Sequence, residues 1–446
     1  MAHEPVDLMI LGAGAAGMVS ALVAAQRGLK VLLIDPHFSE PNNLIVSGGL
    51  FPAAGSHLQR AAGIADSPQA WLADLQAFAG DSVNQRIAEA VAEAMPPLTA
   101  FLVDTLAAPI RFLADVPAPG HRVARFHSLA PASGRALHAW LRSAVAAESR
   151  IRCIADQAVD AVERGARGFE LQVGRLRAAA PQLMLAGGGF GGNAAMVARY
   201  IPEMRGALNS GAATNDGSVI ALALGWGAAL AGMDGYQGQG HANPASKTRL
   251  GMSLPTLGSV MVDRMGQRFV REDIGPSALA ARVLAQPGQV ALEVFDAQIE
   301  AQLANHSAYV DARAAGKIIG ADTQAVLAAA AGVPAAALEQ TLADCTRYAQ
   351  GAIDPLGRSE FARVLVPPYR ASWVTGSLAH TQGGIVTDDA GRVLDAAGEP
   401  LRGLFAAGGS AAGLSGHGGD GYLPGNGLAQ SFGLAWLAVA AMTRGD

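Results

Sequence analysis

Residues 6–17 read VDLMILGAGAAG, an apolar run that ends in Gly12, Gly14 and Gly17. Continuous apolar residues of this length mark a parallel strand buried on both faces. The following AAGMVSALVAAQRG carries helical spacing and stops at Gly28, and KVLLID is a second apolar strand that ends on Asp35. Strand, G-x-G-x-x-G, helix, strand and acid in this order predict a dinucleotide-binding unit. Gly12 makes the tight turn, Gly14 lets the backbone approach a pyrophosphate, and Gly17 lets helix and strand pack closely, with Ala13 and Ala16 filling the same turn. Asp35 lies where a carboxylate can accept hydrogen bonds from ribose hydroxyls.

Half of the 446 residues are apolar, enough for a large core and about two to three domains. The formal net charge is -5, and the lysines are confined to Lys30, Lys247 and Lys317, so no basic run is available for a nucleic-acid backbone. Cys153 and Cys345 stand far apart and in no metal spacing, so no disulfide, metal site or c-type haem is expected. The amino terminus lacks the charged-then-apolar layout of a signal segment, from which a cytoplasmic protein is expected. GLAQSFGLAWLAVAAM, residues 427–442, falls short of the ~20 residues needed for a membrane span and reads as a buried helix.

Further along, IRCIADQAVDAVERG, GFELQVG and APQLMLAGGGFGGN read as strands leading into a second glycine cluster, Gly187 to Gly192. A turn with Asn215, Asp216 and Gly217 opens another helix. From Tyr236 the glycine clusters thin out and helical patterns take over, until the Pro367–Pro368 pair marks a boundary. Then GGIVTDDAGRVLDAAGEPLRGLFAAGG returns to strands and glycines. The fold expected is α/β: a discontinuous Rossmann-type domain, residues 1–235 and 368–446, with an α+β capping domain inserted at 236–367.

Taken together, LGAGAAG with Asp35, SGGLFPAAGSHLQRAAGIADSP, LAGGGFGGN with GAATNDGS, GQRFVRED, PPYRASWVTGSLAHTQGG and LFAAGG resemble the FAD-binding flavoproteins of the fumarate reductase and succinate dehydrogenase superfamily, which includes the 3-ketosteroid dehydrogenases. The resemblance covers nearly the whole chain. It implies FAD, a cap over the isoalloxazine, and hydride transfer between flavin N5 and a substrate carbon. Ser47, Gly48 and Gly49 would line N5, and Ala158, Asn215, Asp216, Gly408 and Gly409 would contact the cofactor. The closing glycine loop would pass along the flavin, with Asn426, Gly427 and Leu428 aiming a helix amino terminus at its pyrimidine edge. Asn42 stands where members with covalent FAD carry a histidine, so non-covalent FAD is expected. Gly409 and Ser410 stand where many members place an acid.

On the substrate side, His380 of AHTQGG and His241 of GYQGQGHANP match segments with which fumarate reductases bind a carboxylate. The arginine those enzymes carry in the closing loop is replaced by Tyr422, and LEVFDAQIEAQLANH of the cap contains no arginine. GYLPGNG instead resembles the ketosteroid dehydrogenases, where a tyrosine polarises a substrate ketone. The tyrosine base of those enzymes has no counterpart after Glu272. The expected catalytic set is Tyr422, His380, His241 and Glu272, with Glu272 and Arg268 equally able to form an ion pair or to relay protons. His3, His37, His57, His121, His127, His138, His306 and His417 are given surface or packing roles. The function expected is desaturation of a ketone or reduction of an enone, with a small-molecule substrate and an unidentified electron acceptor or donor. The alternatives are a fumarate-reductase-like enzyme for a carboxylic acid and an electron-transfer flavoprotein subunit.

Overall fold

The computed structural model of the chain describes residues 4–116, 120–251, 253–304, 306–415, 417–419 and 421–444. His3 lies outside them. The chain divides into two compact units.

The first unit comprises the chain up to Met196, Gly211–Tyr236, and the chain from His380 onward. Its elements are β1 (Leu8–Leu11), α1 (Ala15–Gln26), β2 (Val31–Asp35), α2 (Asn43–Val46), α3 (Gly134–Ala147), β3 (Ile151–Ala155), β4 (Gln182–Leu185), α4 (Ser218–Gly225), β5 (Arg392–Leu394), β6 (Pro400–Ala406) and α5 (Asn426–Arg444). The six strands form one sheet in the order β5-β6-β4-β1-β2-β3. From β6 to β3 every pairing is parallel, and β5 joins the edge antiparallel. β1, most of β2 and nearly all of α1 are buried, which explains why their sequences are apolar throughout and not alternating. α5 packs on α1 and buries Phe432, Leu434, Ala435, Ala438 and Val439. Among the described residues no helix is long and apolar enough to cross a membrane.

The second unit comprises Val197–Ser210 and Gln237–Ala379. It therefore runs past the Pro367–Pro368 boundary read from the sequence. The reason is the long strand Tyr369–Thr381, whose residues 369–374 pair antiparallel with Ala291–Asp296 and whose Ser377 and Leu378 pair with Leu208 and Asn209. The two prolines open that strand and do not end the unit. Val260–Val262 continues the sheet on the other side of Ala291–Asp296. Two apolar clusters flank these strands, one around Leu327, Leu338 and Tyr369, the other around Leu279, Phe295 and Tyr309.

Candidate cofactor cradle and active site

The β1–α1 turn is built by backbone contact. Gly12 has φ +102°, and a Cβ there would strike the backbone of Ala186 and Gly187, while a Cβ on Gly17 would strike the Gly12 carbonyl. Gly14 differs: a Cβ on it would meet nothing within 4 Å. It begins α1 with no capping side chain, and no acid occupies the first turn. The amides of that helix end are thus free for an anion beside open space, which is what a pyrophosphate requires. Asp35 accepts from the Ala13 amide (2.7 Å) with Oδ2 and from the His37 amide (2.8 Å) with Oδ1, which fixes its carboxylate at the end of β2. Next to it Asp156 accepts from the Ser39 amide (2.8 Å) and hydroxyl (2.6 Å) and receives φ +56° in return. Ala158 sits exposed two residues further on, in the loop after β3.

Ser47 ends α2, donating to the Leu44 carbonyl (2.8 Å) and accepting from the Gly49 amide (3.1 Å). A Cβ on Gly49 would meet Gly134 N at 2.7 Å, whereas one on Gly48 would touch only the Leu50 side chain at 3.8 Å. Asn42 caps α2 by accepting from the Ile45 amide (3.2 Å).

Three glycine clusters distant in sequence converge. The Gly12 turn lies against Gly187, a Cβ on Gly408 would meet Ala16 Cβ at 3.0 Å, and one on Gly409 would meet Gly189 N at 2.9 Å. Asn215 and Asp216 hold the second cluster in shape, the Asn215 carbonyl accepting from Gly192 N (2.8 Å) and the Asp216 carbonyl from Asn193 Nδ2 (2.9 Å). Thr381 Oγ1 accepts from Phe190 N (3.2 Å). Gln430 of α5 ties the closing loop to the helix: its Nε2 reaches the carbonyls of Gly408 (3.1 Å), Ala411 (3.1 Å) and Ala412 (3.2 Å), and its Oε1 accepts from Leu414 N (3.2 Å). Sequence reasoning passed over Gln430 and Thr381. A glutamine in the middle of an otherwise apolar helix was the one available signal.

At the amino terminus of α5, Asn426 donates to Ser415 Oγ (3.1 Å), and its Oδ1, buried, has no partner among the described residues. A Cβ on Gly427 would lie 3.4 Å from His380 Nε2 and 3.8 Å from Tyr422 Oη. The His380 and Tyr422 rings meet edge to face, centroids 5.1 Å apart. Burial pushes the Tyr422 phenol up to about 12, against the pull of the Gly427 and Gly425 amides, so it keeps its proton at neutral pH. Burial also holds His380 below the usual imidazole range, with the Thr381 carbonyl opposing. Gln382 Nε2 lies 3.0 Å from His380 Nδ1 and 3.2 Å from Nε2, a further neighbour that the sequence did not point to. The structure thus brings Tyr422, His380, Asn426 and Gly427 together. Leu428 follows in the first turn of α5.

His241 and Glu272 belong to the second unit. His241 Nδ1 is 2.9 Å from Glu293 Oε2, and Glu293 Oε1 accepts from Ser259 Oγ (2.8 Å), all three buried. Glu272 accepts from Met261 N (3.0 Å), Arg268 Nε (2.9 Å) and Nη2 (2.7 Å), and Arg358 Nη1 (3.0 Å). Arg268 also reaches Asp354 Oδ1 (2.9 Å). Burial works against the Arg268 charge, but Glu272 and Asp354 more than reverse this and hold its proton above the usual guanidinium range. Of the two roles expected for Glu272, this geometry is the ion pair.

A family model described as an FAD binding domain matches residues 7–428. The chain is 28% identical over 427 residues to a probable fumarate reductase of Shewanella frigidimarina, covering 93% of this chain and 71% of the relative. A solved flavocytochrome c3 fumarate reductase in its open conformation superposes with a TM-score of 0.85 at 26% identity, over 99% of this chain and 78% of that one. A 3-ketosteroid delta1-dehydrogenase from Sterolibacterium denitrificans shares the fold, with a TM-score of 0.80 at 21% identity, over 98% and 99% of the two chains.

Proposed function

The chain belongs to the FAD binding domain family, and from that premise we propose that it transfers hydride between flavin N5 and a carbon adjacent to a ketone carbonyl, desaturating the ketone or reducing the enone. In its coarser form the activity is that of an FAD-dependent dehydrogenase or reductase acting on CH–CH bonds. Bound FAD supplies the hydride acceptor or donor. The free amides of α1 and the open side of Gly14 would take its pyrophosphate, Asp35 its ribose, and Ser47 to Gly49 the N5 side. Asn42, occupied in capping α2, leaves the FAD without a covalent bond on this reading.

The observation that carries the ketone reading is a protonated phenol, Tyr422, at the amino terminus of α5 beside His380. Segments 380–391 and 406–428 contain no arginine or lysine, so none of the donors they offer is a guanidinium or an ammonium. A neutral donor suits a carbonyl oxygen that becomes enolate-like as the neighbouring C–H breaks, whereas a dicarboxylate calls for a bidentate guanidinium. His241 would bind substrate or move a proton, and Glu272 is assigned no proton transfer. A carboxylic-acid substrate is the second reading, favoured by the likeness to a probable fumarate reductase and by His380 and His241 in their two segments.

Anaerobic bleaching of the oxidised flavin by saturated ketones or succinate, and return of colour to the chemically reduced flavin with enones or fumarate, separate the readings, followed by Tyr422→Phe. The ketone reading expects bleaching by a ketone and a loss of about 10²- to 10³-fold in the single-turnover rate per bound FAD. Efficient turnover of fumarate, or an unchanged rate in the phenylalanine variant, overturns it. Acid precipitation of the same protein should leave FAD in the supernatant, and colour kept in the pellet contradicts non-covalent binding.

A further inference from the structure

The loop that carries Tyr422 rests on a second segment of the first unit, residues 120–126. Gly120 has φ +82°, and a Cβ there would come within 2.6 Å of both Leu423 Cδ1 and Phe78 Cδ2. Gly425 has φ +87°, and a Cβ on it would meet Phe126 Cε1 at 2.7 Å and Pro52 Cδ at 2.9 Å. Between these contacts stands His121, its ring edge-on to Phe126 at 5.2 Å. One ring nitrogen, Nε2, is 2.9 Å from the Pro424 carbonyl, and the other, Nδ1, is 3.2 Å from Arg125 Nη1. A guanidinium can only donate, so Nδ1 accepts, and Nε2 must carry the hydrogen that the carbonyl accepts. Both partners select the same neutral tautomer.

Arg125 is itself immobilised. It is 1% exposed and donates from Nε to Asp66 Oδ2 (3.0 Å), from Nη2 to Asp66 Oδ1 (3.2 Å) and from Nη1 to Asp74 Oδ2 (2.7 Å). Asp74 also accepts from the Arg122 amide (3.0 Å) and pairs with its guanidinium, and Asp66 accepts from Gln59 Nε2 (3.0 Å). A line of contacts therefore runs from two buried aspartates through Arg125 and His121 to the carbonyl two residues beyond Tyr422.

We propose that His121 is a positioning residue for Tyr422: in its neutral form it braces Pro424 against the Arg125–Asp66–Asp74 cluster and so fixes where the phenol and the first amides of α5 point. The proposal rests on the reading of Tyr422 as the carbonyl donor, although the brace itself can be measured without it. Acid should release it. A second proton would go to Nδ1, directly facing the Arg125 guanidinium. The charged groups around the ring are Arg125, Asp74 and Asp66, with Arg122 and Asp115 lining the same cavity of about 500 Å³. Burial first and Arg125 second hold the imidazole below its usual range, opposed by the Pro424 carbonyl and the two aspartates. Its contribution is present above about pH 6.5 and is lost as pH falls further.

The test uses the FAD-loaded enzyme as wild type, His121→Leu and His121→Gln, with hydrogen exchange of the peptide covering 421–428 and single-turnover flavin reduction as the two readouts. A glutamine amide can donate to Pro424 and accept from Arg125, whereas leucine can do neither. His121→Leu should speed exchange in that peptide about tenfold and slow flavin reduction about 10- to 100-fold through kcat rather than KM. His121→Gln should restore both to within a few-fold and flatten the acid limb of the rate below about pH 6.5. Wild-type exchange in His121→Leu, or a glutamine variant as impaired as leucine, overturns the proposal. If His121→Leu does not fold, wild-type exchange corrected for its chemical pH dependence decides: acceleration below about pH 6.5 supports the brace, and none refutes it. A neutral Tyr422→Phe would remove the donor reading while leaving the exchange result to judge His121.

Discussion

In the first unit Gly12, Gly17, Gly189 and Gly409 bring backbone against backbone, whereas in the second Arg268, Arg358, Glu272 and Asp354 meet through charged side chains stacked around Phe361. The two regions hide polar atoms in opposite ways. Around the glycines, the first amides of α1 meet no capping side chain, and Asn426 Oδ1, buried, has no partner among the described residues. Around Glu272, two arginines and an amide converge on one carboxylate, and Arg358 donates three further bonds, to the carbonyls of Ser259 (2.8 Å), Pro255 (2.7 Å) and Glu360 (2.9 Å). A region whose polar groups are satisfied internally is a structural cluster. A region held tight by glycines, yet with donors left over, is shaped for a ligand.

The strongest test of that contrast is Gly17→Ala. Its Cβ meets a carbonyl that cannot step aside, so the expected loss exceeds the about 1–3 kcal/mol usual for overpacking, and no soluble yellow protein should be recovered. Normal expression with bound flavin would show that the turn is looser than its backbone contacts imply. Next in size is Glu272→Gln, which leaves buried Arg358 without a carboxylate and Arg268 with Asp354 alone, and should cost about 3–5 kcal/mol, read as a fall in the denaturant midpoint of the FAD-loaded protein. If the midpoint holds while the rate of flavin reduction collapses, Glu272 belongs to the chemistry and not to the cluster. The mildest change is Gly14→Ala. Open space surrounds that position, so the fold and midpoint of the apoprotein should be kept while FAD binds about tenfold more weakly, roughly 1.4 kcal/mol. An apoprotein destabilised as badly as by Gly17→Ala would erase the distinction drawn between the two glycines.

The dinucleotide motif could be read from sequence because its chemistry is local. Gly12, Gly14, Gly17 and Asp35 sit within thirty residues, and strand, turn and helix periodicity fix their context. Tyr422 stands out in sequence for a similar reason, as an aromatic among glycines, and its ring meets that of His380. Side-chain partnerships across the chain do not stand out. Nothing near Gln430 in sequence announces the carbonyls of 408–412, and nothing near His121 announces Pro424, three hundred and three residues away. His121 was assigned packing because an isolated histidine carries no pattern. The sequence around Glu272 allows two roles, and the residues that make it an ion pair, Arg358 and Asp354, stand far along the chain. A proline pair breaks helices and interior strands but equally well opens a strand, as Pro367–Pro368 does before Tyr369.

Gln430 fastens residues 408–414 to α5 through four main-chain atoms, the last of them Leu414 N. A change of length in the two halves of the closing loop therefore carries different risk. The four partners are main-chain atoms, so a side-chain exchange leaves every Gln430 bond in place, while a change of length within 408–414 would displace the atoms it holds. The half of the loop on the glycine-cluster side is therefore the one in which an insertion would cost most.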